Sequence, residues 1–329
     1  MHIPDGFVSG PINVLGGVTA AAVVGVSAWR ASREVEKRPH MVPLLATTAA
    51  FVFAAQMLNF PIGGGTSGHF LGAAAVAALL GPWSACLVLT LVLIIQCLGF
   101  ADGGLTALGT NIVNMGIIGG FGGYLLMRAL RAVLPRGRGG YIAAAALASW
   151  ASVAMAATVC SLELAASGTS PLRLVLPAMV GTHVVIGIGE ALITAAVLSA
   201  VVAARPDVLP EWSGVGEVRA ARVNTRRAWA LGGIGLAIAL ALAVFASPFA
   251  SSSPDGLEKV AERTGFIESA EDKGVWQNSP LPDYTVPGVK SEGLSTGLAG
   301  LAGTAAMFAL GFGVIRLLGR RSAAGGPGA

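Results

Sequence analysis

Long apolar runs separated by short polar segments dominate this chain. A helix that crosses a bilayer needs about 20 mostly apolar residues. The runs predict nine spans, at 10–29, 42–60, 68–82, 83–100, 106–127, 141–166 and 174–204, and then at 228–248 and 296–317. The third and fourth are short and meet at Gly81-Pro82-Trp83, so they could equally form a broken or re-entrant pair.

The composition agrees with an all-α, polytopic membrane helix bundle. Only 12% of the residues are charged and the mean hydropathy is +0.73, whereas a soluble domain carries about 25% charged residues. The net charge of +4 does not indicate a nucleic-acid partner, because the basic residues form short clusters between apolar runs. We expect contact with membrane lipid and none with nucleic acid.

The basic residues also predict an orientation. With the N-terminus outside, 16 of the 21 Lys and Arg residues fall on the cytoplasmic side, and the exceptions are Arg173, Lys259, Arg263, Lys273 and Lys290. The positive-inside rule favours this topology. We therefore expect a multi-pass protein of a prokaryotic inner membrane with an extracytoplasmic N-terminus and a cytoplasmic C-terminus.

The polar stretches divide the chain into parts. A membrane domain of about seven helices covers 1–204, and a basic cytoplasmic linker covers 205–227. A two-helix unit at 228–318 follows, and residues 319–329 are expected to form a disordered tail. The acidic, Pro- and Gly-containing segment 249–295 inside the two-helix unit is predicted to be an extracytoplasmic loop with little core of its own.

The first two residues are a candidate metal chelate. The start of the chain does not have the pattern of a removable signal peptide, and a bulky His2 favours retention of Met1. The Met1 amine, the backbone nitrogen of His2 and its Nδ1 can surround one ion in a plane, which suits Ni(II) or Cu(II), and Co(II) also accepts nitrogen ligands. The alternative is an ordinary histidine on a frayed terminus.

His69 is the candidate for a fourth ligand. It ends the Gly-rich segment from Pro61 to His69, which the predicted topology places on the same side as Met1. Irregular backbone at membrane depth is tolerated where it lines a cavity or is buried in protein. The glycines could instead make a tight connection, with His69 at the interface.

Several polar residues lie inside predicted spans. Such residues are candidates for a transport route or for groups around the metal, although hydrogen bonds that only lock the helices together are an equal alternative. They are Gln96, Asn111, Asn114, His183 and Glu190. Asp102 and Glu163 lie near outer helix ends and could be interfacial. No G-x-x-x-x-G-K-[ST] segment occurs, so energy for uphill transport must come from a partner or an ion gradient.

Four motifs together resemble the CbiM/NikM family, the substrate-capture components of cobalt and nickel energy-coupling-factor transporters. They are Met1-His2-Ile3-Pro4-Asp5-Gly6-Phe7, Asn59 through His69, Gly109 through Met115, and His183 through Glu190, while Pro254-Asp255-Gly256-Leu257-Glu258 resembles the PDGLE domain. The PDGLE domain is similar to the small CbiN/NikN subunit.

The resemblance implies a function, a ligand set and partners. Met1, His2 and His69 would bind Co(II) or Ni(II) as cargo, with no permanent cofactor. A transmembrane coupling subunit and cytoplasmic ATPases would drive import. A membrane metalloenzyme with Glu190 or Asp102 as its base, a structural protein and a metal permease not coupled to ATP are the alternatives. The choice between cobalt and nickel stays open.

Overall fold

The structure is a computed structural model that describes residues 1–38, 41–205, 209, 225–270 and 274–324. The predicted linker at 205–227 lies outside the described residues except for its ends and Leu209, and His40 also lies outside them. The last helix extends to Ala324, beyond the predicted boundary at 318, so the first part of the predicted tail is helical. Residues 325–329 lie outside the described part.

The described chain is almost entirely helical. Its elements, in chain order, are α1 (Gly10–Lys37), α2 (Met41–Gln56), β1 (Phe60–Gly63), β2 (Thr66–Gly68), α3 (Ala73–Leu80), α4 (Pro82–Phe100), α5 (Leu108–Asn111), α6 (Gly123–Val133), α7 (Arg138–Ala166), α8 (Leu172–Ala204), α9 (Thr225–Ala241), α10 (Gly256–Thr264) and α11 (Glu292–Ala324). A π-helical stretch, Ile112–Gly122, joins α5 to α6, and another, Leu242–Ala246, continues α9.

Seven helical segments among the described residues are long and apolar enough to cross a bilayer. They are Gly10–Lys37, Pro82–Phe100, Leu108–Val133, Arg138–Ala166, Leu172–Ala204, Gly232–Phe249 and Glu292–Gly319. Helix α2 is shorter but equally apolar. The predicted all-α, multi-pass membrane fold is thereby confirmed.

The predicted span at 68–82 is broken rather than a full helix. Only Ala73–Leu80 is helical, and eight residues rise about 12 Å, less than the thickness of a bilayer core. Gly72 and Gly81, at its two ends, have φ of 80° and 82°, which favours glycine. The segment between β2 and α3 has no regular secondary structure, and its Leu71 and Gly72 N–H groups donate to the carboxylate of Glu190 on α8.

The Gly-rich segment forms a two-stranded hairpin. Strand β1 pairs antiparallel with β2, with Pro61 opposite Ser67 and Phe60 opposite Gly68. Gly63, Gly64 and Gly65 at its tip all have positive φ, so the run of glycines supplies the left-handed turn conformations. The hairpin delivers His69 directly into the interior of the bundle, where its side chain is 8% exposed.

Segment 249–295, predicted to have little core of its own, packs its helix α10 into the core of the membrane domain. Asp255 caps α10 through a complete capping box with Glu258. The apolar face of α10 carries Leu257 and Val260, which are buried in the same core cluster as Ile3 and Phe7. An amphipathic helix with a strong N-cap therefore packs this segment onto the membrane domain.

Candidate metal centre

The first seven residues pack against the rest of the chain, and four of them are buried: Met1, Ile3, Asp5 and Phe7. Met1 is 4% exposed, and Ile3 and Phe7 are fully covered. The ring of Phe7 packs edge-on against Phe266 of the C-terminal unit, with centroids 5.1 Å apart. The N-terminal segment is thus held between the membrane domain and the C-terminal unit.

Asn111 fixes the backbone next to the first two residues. Its Oδ1 accepts from the Ile3 N–H at 2.8 Å and its Nδ2 donates to the Ile3 carbonyl at 3.1 Å. The Gly104 N–H donates to the same carbonyl. This predicted site residue thereby sets the direction in which Met1 and His2 enter the bundle.

Asp5 anchors the segment a second time. Its carboxylate accepts from the backbone N–H and the hydroxyl of Thr106 at 2.8 and 2.6 Å, and from the Val275 N–H at 2.9 Å. Burial raises the pKa of Asp5, but the hydrogen bonds from Thr106 and Val275 outweigh burial and lower the pKa below its usual value. Asp5 thus connects the N-terminal segment to both units of the chain.

The Met1 amine contacts two side chains. Its nitrogen lies 2.6 Å from His69 Nε2 and 2.6 Å from Asp255 Oδ2. His69 Nδ1 faces the Phe70 carbonyl at 3.2 Å. Burial and the charge of the amine lower the pKa of His69 to about 3, so the imidazole is neutral and its Nε2 lone pair accepts from the ammonium. Neutral imidazole is also the form that binds metals.

The ring of His2 stacks on the ring of His69. The angle between the two ring planes is 9°, and the ring centroids lie 5.0 Å apart. His2 Nδ1, the predicted chelating atom, lies 2.9 Å from Asp102 Oδ1, and its Nε2 has no hydrogen-bond partner among the described residues. A chelate through Nδ1 therefore requires His2 to exchange Asp102 for the ion.

Asp102 is a partly buried partner of His2, with its side chain 24% exposed. The Tyr284 hydroxyl donates to its second oxygen at 2.5 Å. Burial raises the pKa of Asp102, but the charge of His2 and the hydrogen bonds from His2 and Tyr284 outweigh burial and hold that pKa well below its usual range. The carboxylate thus stays ionised beside His2.

Asp255 is not among the predicted site residues, and it lies in a segment, 249–295, that contains no His or Cys. Its Oδ1 accepts from the N–H groups of Leu257 and Glu258, which leaves Oδ2 for the Met1 amine. Burial raises the pKa of Asp255, but the amine charge outweighs burial and lowers that pKa well below the usual range. A repeated tripeptide was the available signal, since Pro-Asp-Gly occurs at 4–6 and at 254–256.

The other predicted polar residues divide into two groups. His183 lines a small cavity together with Met1 and His69. The remaining contacts join elements: Glu190 accepts from the N–H groups of Leu71 and Gly72, Gln96 donates to Gln56, and Asn114 donates to Glu163. Glu190 and Gln56 both bond backbone atoms of Leu71, so this group fixes the irregular segment that follows His69.

Side chains alone do not form the centre. Within the described ranges, no group of three or more His, Cys, Asp and Glu side chains is arranged to hold a metal ion. The additional donors available at this position are the Met1 amine and the backbone nitrogen of His2. The predicted use of main-chain nitrogen is consistent with this arrangement.

Comparison with known proteins decides the family. Residues 2–208 match the model of CbiM, the cobalt uptake substrate-specific transmembrane region. The chain belongs to the CbiM family. Residues 229–320 match the PDGLE domain, so both predicted resemblances are confirmed.

Relatives extend over nearly the whole chain. A putative fused nickel transport protein NikMN of Archaeoglobus fulgidus is 38% identical over 318 residues, covering 96% of this chain and 98% of the relative. The fused nickel transport protein NikMN of Rhodobacter capsulatus is 32% identical over 94% of this chain and 95% of its own. A crystal structure of a truncated transition metal transporter matches with a TM-score of 0.54 and 35% identity, covering 62% of this chain and 99% of that one.

These findings decide between transport and catalysis. The curated relatives are named as nickel or cobalt transport proteins, and the solved neighbour is a metal transporter. This CbiM-family chain is accordingly a multi-pass membrane transport protein and not a metalloenzyme.

Proposed function

We propose that this chain is the substrate-capture subunit of an ATP-driven energy-coupling-factor importer for Co(II) or Ni(II). The observation that carries the proposal is the buried contact between the Met1 amine and His69 Nε2, at 2.6 Å, with the His2 ring stacked beside it. Three predicted ligand residues therefore meet at one position in a chain of the cobalt-uptake family.

The ion binds by ligand exchange. The ion replaces the proton between the Met1 amine and His69, and that proton is released to solvent. His2 turns from Asp102 to the ion and binds it through a deprotonated Nδ1, with its ring proton on Nε2. The His2 amide nitrogen also releases its proton to solvent and completes a planar set of four nitrogens, which suits Ni(II) and is open to Co(II). Asp102 and Asp255 add two negative charges beside the divalent ion, which offsets part of the cost of burying it.

The proposed partners follow from what the chain lacks. Its sequence contains no P-loop segment for ATP phosphates, so separate cytoplasmic ATPases and a transmembrane coupling subunit supply the energy. The distribution of Lys and Arg favours a prokaryotic inner membrane with Met1 outside and the C-terminus inside. Capture then occurs on the extracytoplasmic side.

An added methionine ahead of Met1 tests the chelate. The extra residue moves the free amine away from His2, and its bulky neighbour favours retention of the added residue. We expect calorimetric titration of the purified protein with Ni(II) and Co(II) to show at least about tenfold weaker binding. A methionine appended after Ala329 is the matched control, and mass spectrometry verifies both termini.

Two further variants separate the ligands from general damage. His69→Ala is expected to lose affinity. His40→Ala changes a histidine that follows Lys37 and Arg38 in the sequence and is not a proposed ligand, so it is expected to bind like the wild type. Unchanged binding by the extended protein would rule out the chelate. Uptake that persists in cells without the coupling ATPases would instead favour a permease not coupled to ATP.

A further inference from the structure

His183 is a second buried imidazole beside the cavity of the metal centre. It lies on α8, about 16 Å along the helix from Leu172 at the 1.5 Å rise of an α-helix, and is 1% exposed. The cavity that it lines is also lined by Met1, Gly68, His69, Leu71, Val153, Ile186 and Gly256. The proposed capture site uses no atom of His183.

The ring of His183 is oriented by the backbone of its own helix. Its Nδ1 lies 2.7 Å from the Met179 carbonyl oxygen. A carbonyl can only accept, so Nδ1 carries the hydrogen and the Nε2 of the neutral ring is a bare lone pair. Metal-binding histidines have this arrangement, in which the second ring nitrogen donates to a carbonyl or carboxylate and fixes the ring.

The Nε2 lone pair is buried and has no hydrogen-bond partner among the described residues. Buried polar atoms are normally paired. Apart from Met1 and His69, the cavity is lined by apolar side chains and by two glycines. A side chain at Gly256 would meet His183, since a Cβ there would lie 2.9 Å from Cε1 and 3.1 Å from Nε2.

We infer that His183 is a transient ligand for the transported ion. The ion leaves the Met1 amine and both nitrogens of His2, and the amine and the His2 amide nitrogen take up protons from solvent again. The imidazole nitrogens of His69 and His183 then hold the ion within the bundle. Imidazole is a good ligand for Co(II) and Ni(II), and the ion keeps its charge because only its ligands exchange. This inference rests on the proposed function.

His183→Asn is the informative variant. Its amide can still donate to the Met179 carbonyl from near the position of Nδ1, but it has no atom at the position of Nε2. We expect the purified protein to bind Ni(II) about as tightly as the wild type. In cells that contain the coupling subunits, uptake is expected to fall by about tenfold or more. Normal yield of the assembled complex controls for folding.

A second measurement detects the transient site directly. The protein with an added methionine lacks the chelating amine but keeps both imidazoles. The visible absorption spectrum of Co(II), added at high concentration to this extended protein, is expected to show weak nitrogen coordination. Adding the substitution His183→Asn is expected to remove that signal. The inference would be overturned if His183→Asn left the Co(II) spectrum of the extended protein unchanged. It would also be overturned if the single variant His183→Asn showed wild-type uptake, or if this variant lost its Ni(II) affinity together with its uptake. Wild-type Ni(II) affinity in the extended protein would instead overturn the proposed function.

Discussion

At the scale of single residues, the centre depends on how one amide side chain holds one peptide unit. Asn111 is 2% exposed, and it both accepts from and donates to the backbone of Ile3. A two-point contact of this kind fixes the position and the direction of the chain. The proposed ligands Met1 and His2 immediately precede Ile3, so Asn111 would position the proposed metal site without being a ligand.

Asn111→Ala should therefore weaken metal binding although the proposed ligands are intact. The substitution leaves the Ile3 N–H without its side-chain acceptor. The direction in which the N-terminal segment enters the bundle is then no longer fixed. We expect the affinity for Ni(II), measured by calorimetry, to fall by about tenfold, as for other residues that orient metal ligands. Asn278→Ala, at an exposed position, is the control. Equal affinities in the two variants would assign Asn111 only to helix packing.

Sequence reasoning found the proposed ligands but not their carboxylate partners. Met1, His2 and His69 stand in recognisable motifs with a known chemical preference. Asp255 contacts an atom 254 positions away, and Asp102 meets His2 from the end of α4. No local pattern encodes such pairings, because an acid in a polar loop has the same sequence appearance whether or not it is buried.

At the scale of elements, α5, which holds the N-terminal segment through Asn111, packs closely on α1. Helix α5 crosses α1 at Gly109 and Gly16, and a Cβ at Gly109 would lie 2.4 Å from the Cα of Gly17. A Cβ at Gly17 would meet nothing within 4 Å. At this crossing, Gly109 therefore has no room for a side chain, whereas Gly17 has room for one.

The pair gives a matched test. Gly109→Ala should separate α5 from α1 and lower stability by about 1–3 kcal/mol. Gly17→Ala should be neutral or stabilise by up to about 1 kcal/mol through its higher helix propensity. Thermal unfolding of the two variants in detergent measures the difference, and similar melting temperatures would contradict the close crossing.

The position of the break in the predicted span at 68–82 could not be predicted from the sequence. Residues 68–82 form an apolar run, and an apolar run in a membrane protein predicts a helix. The helix begins only at Ala73 because Glu190 takes up the N–H groups of Leu71 and Gly72, across 119 and 118 positions of sequence. The sequence identified Glu190 as a candidate but did not assign it this partner.

At the scale of the whole molecule, the PDGLE unit and the CbiM region both contact the N-terminal segment. Val275 and Asp255 of the PDGLE unit bond Asp5 and Met1, and Tyr284 bonds Asp102. The backbone of β2 also donates to the PDGLE unit, from the Ser67 N–H to the Pro254 carbonyl. Four independent contacts therefore join the two units near the metal centre.

Asp255→Asn should loosen this junction without disturbing α10. Asparagine is as good an N-cap as aspartate, but it cannot pair with the buried ammonium of Met1, and removing one partner of a buried pair is destabilising. We expect a lower melting temperature in the absence of metal. Glu262→Gln, which removes only the surface pair with Lys259, should leave the melting temperature nearly unchanged. Equal shifts in the two variants would contradict a structural role of the Met1–Asp255 pair.

The contact between Met1 and Asp255 also fixes an order of events during synthesis. The first residue to emerge must meet a residue that is made 254 positions later. At about 5–20 residues per second, that interval lasts roughly 13 to 50 seconds. The N-terminal segment can dock on the membrane domain in that time. The ribosome must first synthesise the chain as far as Asp255, however, before the contact between Asp255 and Met1 at the proposed capture site can form.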